Sequence, residues 1–233
     1  MNLEVALESK KITRKAFILK TSKVACGYVL LPVLISSLVK CSKIDIGALI
    51  KGPVYIGPNS IVNPGAKLRE NVSIGPMCKI GGELEDVVIQ GYTNKQHDGY
   101  IGNSYIGEWV NLGANTNNSD LKNNYSNIRV DLGDQIIDAG MFAGCLIGDY
   151  TKCGISTMIN TGSYIGLGCN LFGSGFQDKH ISNFSWGTDG VKTDFNKFIN
   201  TLEIVKNRRG QEVSSAEVDF LKSLYKNKIK KSN

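Results

Sequence analysis

From Ile44 onward an aliphatic residue returns at every sixth position: Ile44, Ile50, Ile56, Val62, Leu68, Ile74 and Ile80. The period resumes at Tyr100, Ile106 and Leu112, and again at Met141, Ile147, Cys153, Ile159, Ile165 and Leu171. Thirteen of these sixteen positions are Ile, Leu or Val, where chance would place about four. A second column, four residues further on, is mostly small, as in Ala48, Ser60, Ala66, Cys78, Ser104, Thr116, Cys145 and Ser163. Glycine follows the aliphatic residue in eight of the sixteen hexads. A period of six suits neither an amphipathic helix nor an alternating hairpin strand. It suits a short strand and a turn, repeated so that one aliphatic side chain points inward each time, with Gly supplying backbone angles a Cβ forbids. One coil cannot bury its own interior, so coils must stack and the inward residues form ladders. The pattern predicts an all-β parallel β-helix of hexapeptide repeats over residues 44–190.

The period changes after that. Phe195, Phe198, Leu202 and Val205 are three to four residues apart, and Gly210 follows as a stop. Ser214 with Glu217 reads as a capping box leading into Val218, Leu221 and Tyr225. Residues 191–233 are therefore expected to form a C-terminal helical extension that covers the open end of the solenoid. Residues 1–43 form an N-terminal extension. Its uncharged stretch from Val24 to Val39 is shorter than a spanning helix requires and contains Gly27 and Pro32, so membrane involvement is not expected.

Composition sharpens this division. Of 26 glycines, 24 fall between Gly47 and Gly190, which argues against long helices in the middle of the chain. The net charge of +6 is unevenly spread: residues 1–23 carry +4, residues 192–233 carry +5 and residues 24–191 carry −3. A nucleic-acid partner is not expected, because the basic residues avoid the repeat domain. The six cysteines include no C-x-x-C pair, and His97 and His180 are the only histidines. That argues against a zinc site of the usual Cys/His kind, and a zinc hydratase on the same fold, which requires three histidine ligands, would need substituted ones. Four of the cysteines fall on repeat core positions, which points to reduced, buried thiols in a cytoplasmic protein.

The first interruption of the repeat carries the candidate chemistry. It reads Asn94-Lys95-Gln96-His97-Asp98-Gly99-Tyr100-Ile101-Gly102 and continues through Ile106-Gly107, Val110-Asn111, Gly113-Ala114 and Thr116 to Asn124-Tyr125. In these residues the chain resembles the C-terminal acetyltransferase domain of the bifunctional N-acetylglucosamine-1-phosphate uridylyltransferase/glucosamine-1-phosphate acetyltransferase family, with Lys95 shifted by one place. Cys153-Gly154-Ile155, Ile159-Asn160-Thr161-Gly162 and Phe184-Ser185-Trp186-Gly187 are similar to a variant of it, sugar nucleotidyltransferase-like, whose nucleotidyltransferase half is divergent.

The resemblance implies the left-handed form of the helix, with three hexads per triangular coil and so about five coils. It implies acetyl-CoA as co-substrate, a homotrimer with active sites between neighbouring subunits, and an amine or amino-sugar acceptor. His97 would be the general base, since imidazole accepts a proton near neutral pH. Lys95, Tyr100, Asn111, Asn124 and Tyr125 would bind the acceptor, and backbone at Ala114, Ala139 and Gly154 would contact the pantetheine arm. Two charged positions of the family are replaced, by Asn63 before Pro64-Gly65-Ala66 and by Gly81. Lys79 stands where the family has a carboxylate, with Glu83 and Glu85 nearby. No Gly-rich phosphate loop opening a βα unit occurs, so nucleotidyl transfer is not expected of this chain. Two readings remain: an N-acetyltransferase of nucleotide-sugar or cell-envelope precursor metabolism, or a non-catalytic β-helix serving assembly or regulation.

Overall fold

A computed structural model describes residues 41–187 and 190–226. Their strands are short, and almost all pair in parallel with the strand one coil away. One long ladder consists of Ile56, Ile74, Ile89, Ile106, Ile147, Ile165 and Ile181, each the parallel partner of the next. A second ladder holds Ile44, Val62, Ile80, Lys95, Leu112, Cys153 and Leu171. A third begins with Ile50, Leu68, Leu84 and Ile101 and continues with Asn118 and Ile159. From Val62 to Ile181 the aliphatic members are essentially excluded from solvent and form one continuous core. The parallel β-helix is thus present, and its hexads point inward as the periodicity requires.

Its length differs from the expectation. The first sheet has seven rungs, where division of the hexads gave about five coils. Coils are not equally long: Ile74 and Ile89 are neighbours in one ladder, as are Ile89 and Ile106, so the corners between them have lost residues. A strict step of six loses phase there. Tyr100 and Met141 consequently do not face inward, and Leu84, Val87 and Ile101 fill the core of the first interruption instead.

Only the second interruption leaves the coil. Between Ile106 and Ile147, direct partners in the ladder, the chain makes an excursion spanning roughly residues 119–143. This arm contains an antiparallel hairpin, Arg129–Asp131 with Ile136–Asp138, and an antiparallel bridge from Leu121 to Phe142. Ile128, fully buried, seats the arm on the coil at Gly162, where a Cβ would meet the Ile128 side chain at 2.5 Å.

The third residue after each isoleucine of the long ladder is left-handed. Met77, Tyr92, Trp109, Tyr150 and Phe184 have φ of 60°, 60°, 58°, 63° and 62°. Such a conformation costs an L-residue about 1–2 kcal/mol, so packing must hold it. Tyr92 and Trp109 stack with ring centroids 4.2 Å apart, and Phe184 meets Phe198 edge to face at 5.2 Å.

Phe198 belongs to the first of two C-terminal helices, α1 (Phe195–Asn207) and α2 (Ser215–Lys226). Asp194 caps α1 by accepting from the Lys197 N–H at 2.9 Å. The Ser214 hydroxyl accepts from the Glu217 N–H at 3.2 Å, but the Glu217 carboxylate leaves the expected box to pair with Lys206 at 2.5 Å and accept from Tyr150 at 2.7 Å. The helices therefore run along this aromatic corner rather than over an open end of the solenoid. Lys206 lies over Trp109, Tyr225 packs on Phe184, and Arg209 donates to the Met77 carbonyl.

Cys78, Cys145, Cys153 and Cys169 are free and buried. Burial pushes the thiol of Cys78 up to about 11 and that of Cys145 up to about 12, so both stay protonated and inert at neutral pH. The apolar stretch 24–39 and Cys26 lie outside the described residues. Among the described residues no helix is long and apolar enough to cross a membrane.

Candidate active site

The loop carrying His97 is fixed at five consecutive carbonyls. The Lys95 carbonyl accepts from the Gly81 N–H at 2.6 Å, and that of Gln96 from the Asn63 amide at 2.9 Å. The His97 carbonyl accepts from Lys95 Nζ at 2.5 Å. The Asp98 carbonyl accepts from Lys95 Nζ at 3.0 Å and from the Asn115 N–H at 2.9 Å. The Gly99 carbonyl accepts from the Glu83 N–H at 3.1 Å. Gly99 has φ +122°, and a Cβ there would lie 2.2 Å from the Thr116 carbonyl oxygen, so only glycine lets the loop approach the next coil. The backbone is thus hydrogen-bonded at each step, yet the His97 side chain is exposed.

Lys95 is not where an acceptor-binding residue would stand. It is fully buried, in the ladder position between Ile80 and Leu112, and its ammonium bonds the two loop carbonyls. Desolvation lowers its pKa to about 8. Asn63 is likewise occupied by the loop.

Ala114 follows Gly113 on the next coil, and Ile155 follows Gly154 on the one after. Asp98, Asn115 and Ser156 bind these corners together through the Asn115 N–H and an Asn115–Ser156 side-chain bond of 3.3 Å, and the Ala114 carbonyl accepts from the Ser156 N–H at 2.7 Å. A Cβ on Gly113 would sit 2.4 Å from the Gly154 carbonyl, so the coils come into close contact along this edge. His97, Ala114 and Gly154 are thus brought onto one edge of the solenoid, on successive coils.

The other expected residues flank this edge or leave it. Tyr100 begins the strand beyond the loop, with its hydroxyl 2.9 Å from Asp120 and 3.3 Å from Glu85. Burial and these two carboxylates raise its pKa, so it remains a neutral donor. Arg69 pairs with Glu85 at 2.9 Å and with Glu83 at 3.2 Å. Asn111, exposed on the following strand, accepts weakly from Asn94 at 3.4 Å. Asn124, Tyr125 and Ala139 belong to the arm. The Asn124 side chain accepts from Ser126 in its own turn, Tyr125 is 64% exposed, and the Ala139 N–H bonds the Ile128 carbonyl. His180 supports the arm, its Nδ1 lying 3.0 Å from the Asp131 carbonyl and its ring stacked on Tyr164.

Three contributors escaped the sequence reading. Asp120 holds both Tyr100 and Asn103. Asn118 occupies an inward ladder position, where its amide binds the N–H and carbonyl of Gly102. Arg209 reaches from the turn after α1 to Asn94 at 2.8 Å. None of them lies in a local motif, since each acts on a residue one coil or more away. Among the described residues no three His, Cys, Asp or Glu side chains converge to hold a metal ion.

No protein-family model matches the chain. It is 28% identical over 127 residues to the bifunctional protein GlmU of Methanocaldococcus jannaschii, covering 54% of this chain and 30% of the relative. It is 32% identical over 117 residues to a bifunctional sugar-1-phosphate nucleotidylyltransferase/acetyltransferase of Sulfurisphaera tokodaii, covering 50% of this chain and 28% of that protein. The chain thus spans about a third of the length of these curated relatives. A crystal structure of an acetyltransferase candidate from Bacillus cereus aligns with a TM-score of 0.34 and 15% identity, covering 79% of this chain and 94% of its own.

Proposed function

We propose that the chain is an acetyl-CoA-dependent N-acetyltransferase acting on an amino sugar or a related amine, with His97 as general base. The observation that carries this reading is the His97 loop: an exposed imidazole on a backbone held at five consecutive carbonyls. The similarity to a bifunctional protein with an acetyltransferase activity in its name supports it.

An amine attacks a thioester only as the free base, and the new C–N bond leaves a proton to be removed. His97 takes that proton as the nitrogen adds to the acetyl carbonyl. The C–S bond then breaks, and the departing CoA thiolate takes up the proton from the imidazolium. The close-packed edge at Gly113-Ala114 and Gly154 suits an extended pantetheine arm, whose amides pair with backbone. Tyr100, whose single hydroxyl proton is held by Asp120, accepts a hydrogen bond from the acceptor on one side, and the Asn111 amide donates from the other.

The assembly belongs to the same proposal. Met141, Phe142 and Ile155 are 43%, 54% and 78% exposed, a concentration of apolar surface on the arm and beside the His97 edge. A closed three-fold ring would bury it and set Asn124, Tyr125 and Ala139 of one subunit against the edge of another. Light scattering should give a trimer at micromolar concentration, and a monomer would remove the shared site.

Calorimetry with acetyl-CoA, followed by a coupled assay of CoA release across a panel of amino sugars, tests the activity. Binding and turnover are expected. No acetyl-CoA binding would leave the β-helix as a scaffold.

A further inference from the structure

The outward neighbours of the Lys95 ladder form a polar stripe: Lys79, Asn94, Asn111, Lys152 and Asn170 follow one another from coil to coil. Arg209 occupies the stripe at Asn94. Two coils further on, Lys152 and Asn170 open instead onto a cleft of about 210 Å3 between the coil and the start of α1. Trp186, Lys192, Thr193 and Lys197 also form part of its wall.

The chemistry of the cleft is cationic. Among the described residues three lysines line it against one carboxylate, Asp194, which already caps α1. Among the described residues none of the three has an ion-pair partner. Lys152 and Lys192 each give one bond to a backbone carbonyl, of Tyr150 at 3.2 Å and Tyr225 at 3.1 Å, and an ammonium has three protons to give. Burial lowers the Lys152 pKa, a cost that an anion in the cleft would offset. Thr193 is 7% exposed, and its hydroxyl is buried with no hydrogen-bond partner among the described residues. Trp186, 51% exposed, rests edge to face on Phe172 at the rim. The start of α1 adds the positive end of a helix dipole.

We propose that this cleft binds the phosphate group of a small phosphorylated ligand, with the lysines and Thr193 facing the phosphate oxygens and Trp186 covering the group that carries it. It is separate from the His97 edge. Lys152 and Asn170 face outward from their strands, whereas His97, Ala114 and Ile155 occupy the corner that follows.

Calorimetry of the full chain at low ionic strength, with inorganic phosphate and with AMP as probes, tests the proposal. Both probes should bind, and added salt should weaken both. Replacing Lys192→Gln and Lys197→Gln together should weaken each by about tenfold or more, as loss of charge-assisted bonds does. Both side chains are exposed, so the unfolding midpoint should not move. Tighter binding of AMP, with the margin lost in Trp186→Ala, identifies a nucleotide-borne phosphate. Equal affinities identify free phosphate. Absence of heat with both probes, or affinities unchanged in the lysine variant, overturns the proposal.

Discussion

Replacing Lys95→Met removes a charge from an aliphatic ladder while keeping the length of the side chain. Two effects oppose each other. The lysine's pKa falls from 10.5 to about 8 on folding because the ammonium is desolvated. Between those values the unfolded chain binds more protons than the folded one, so stability rises with pH across that window. The full rise is about 3 kcal/mol, at 1.36 kcal/mol per pKa unit. Below pH 8 the wild type carries that whole penalty, and methionine abolishes it. Against this, the variant leaves the His97 carbonyl without its donor, at a cost of about 1–3 kcal/mol. Near pH 7 the two nearly cancel, and global stability should change by less than about 2 kcal/mol. The loop has no such compensation. Amide exchange at residues 96–99 should accelerate, and acetyl transfer should fall at least about tenfold, since a displaced base costs rate steeply. Urea unfolding of both proteins at pH 7, 8.5 and 10 reads the first effect. The wild type should gain on the variant as pH rises. A stability difference that stays flat across that range would refute a buried, titrating Lys95. Unchanged exchange at 96–99 would refute its hold on the loop.

His97→Ala should lower transfer by about 100- to 10,000-fold with no shift in unfolding midpoint, because the side chain is exposed and leaves no cavity. His180→Ala should cost less than about tenfold in rate, and equal losses in the two variants would overturn the assignment of the base. Lys206→Met should destabilise the protein by about 3–5 kcal/mol in denaturant titration, since it strands the Glu217 carboxylate between Tyr150 and the helices. Glucosamine-1-phosphate should be a poorer acceptor than an unphosphorylated amino sugar, by specificity constants. Asn63 is committed to the loop, and Glu83, Glu85 and Asp120 outnumber Arg69 around Tyr100.

The legible part of this fold is the part in which every coil repeats the same demand. Ile56, Ile74, Ile106, Ile147 and Ile165 announce themselves because each must fill the same inward site. The interruption around residues 81–99 was harder to read. There the coil continues with shortened corners, and Lys95 takes a place reserved elsewhere for an aliphatic residue. A charged side chain in a ladder violates the pattern from which ladders are recognised, and only its distance to two carbonyls explains it. The left-handed corner was hidden for a similar reason. Tyr92, Trp109 and Tyr150 stand where glycine or asparagine is the ordinary choice, and the stacking and helix contacts that hold them there come from remote parts of the chain. His97 belongs to a local motif, whereas Asp120 and Arg209 act across coils and carry no local signature.

The arm between Ile106 and Ile147 has a consequence for how such a protein changes over time. The ladder resumes after it as though nothing intervened, with Ile147 hydrogen-bonded beside Ile106. Adjacent strands lie about 4.8 Å apart, so an inserted segment meets a single condition: its two ends must return to that spacing. Its length is nearly free, because doubling a loop adds only about 0.6 kcal/mol of closure entropy. This corner is therefore a port at which whole surface elements can be exchanged in one genetic event while every rung above and below keeps its register. Selection on what the molecule recognises and selection on whether it folds then act on separate stretches of the same chain.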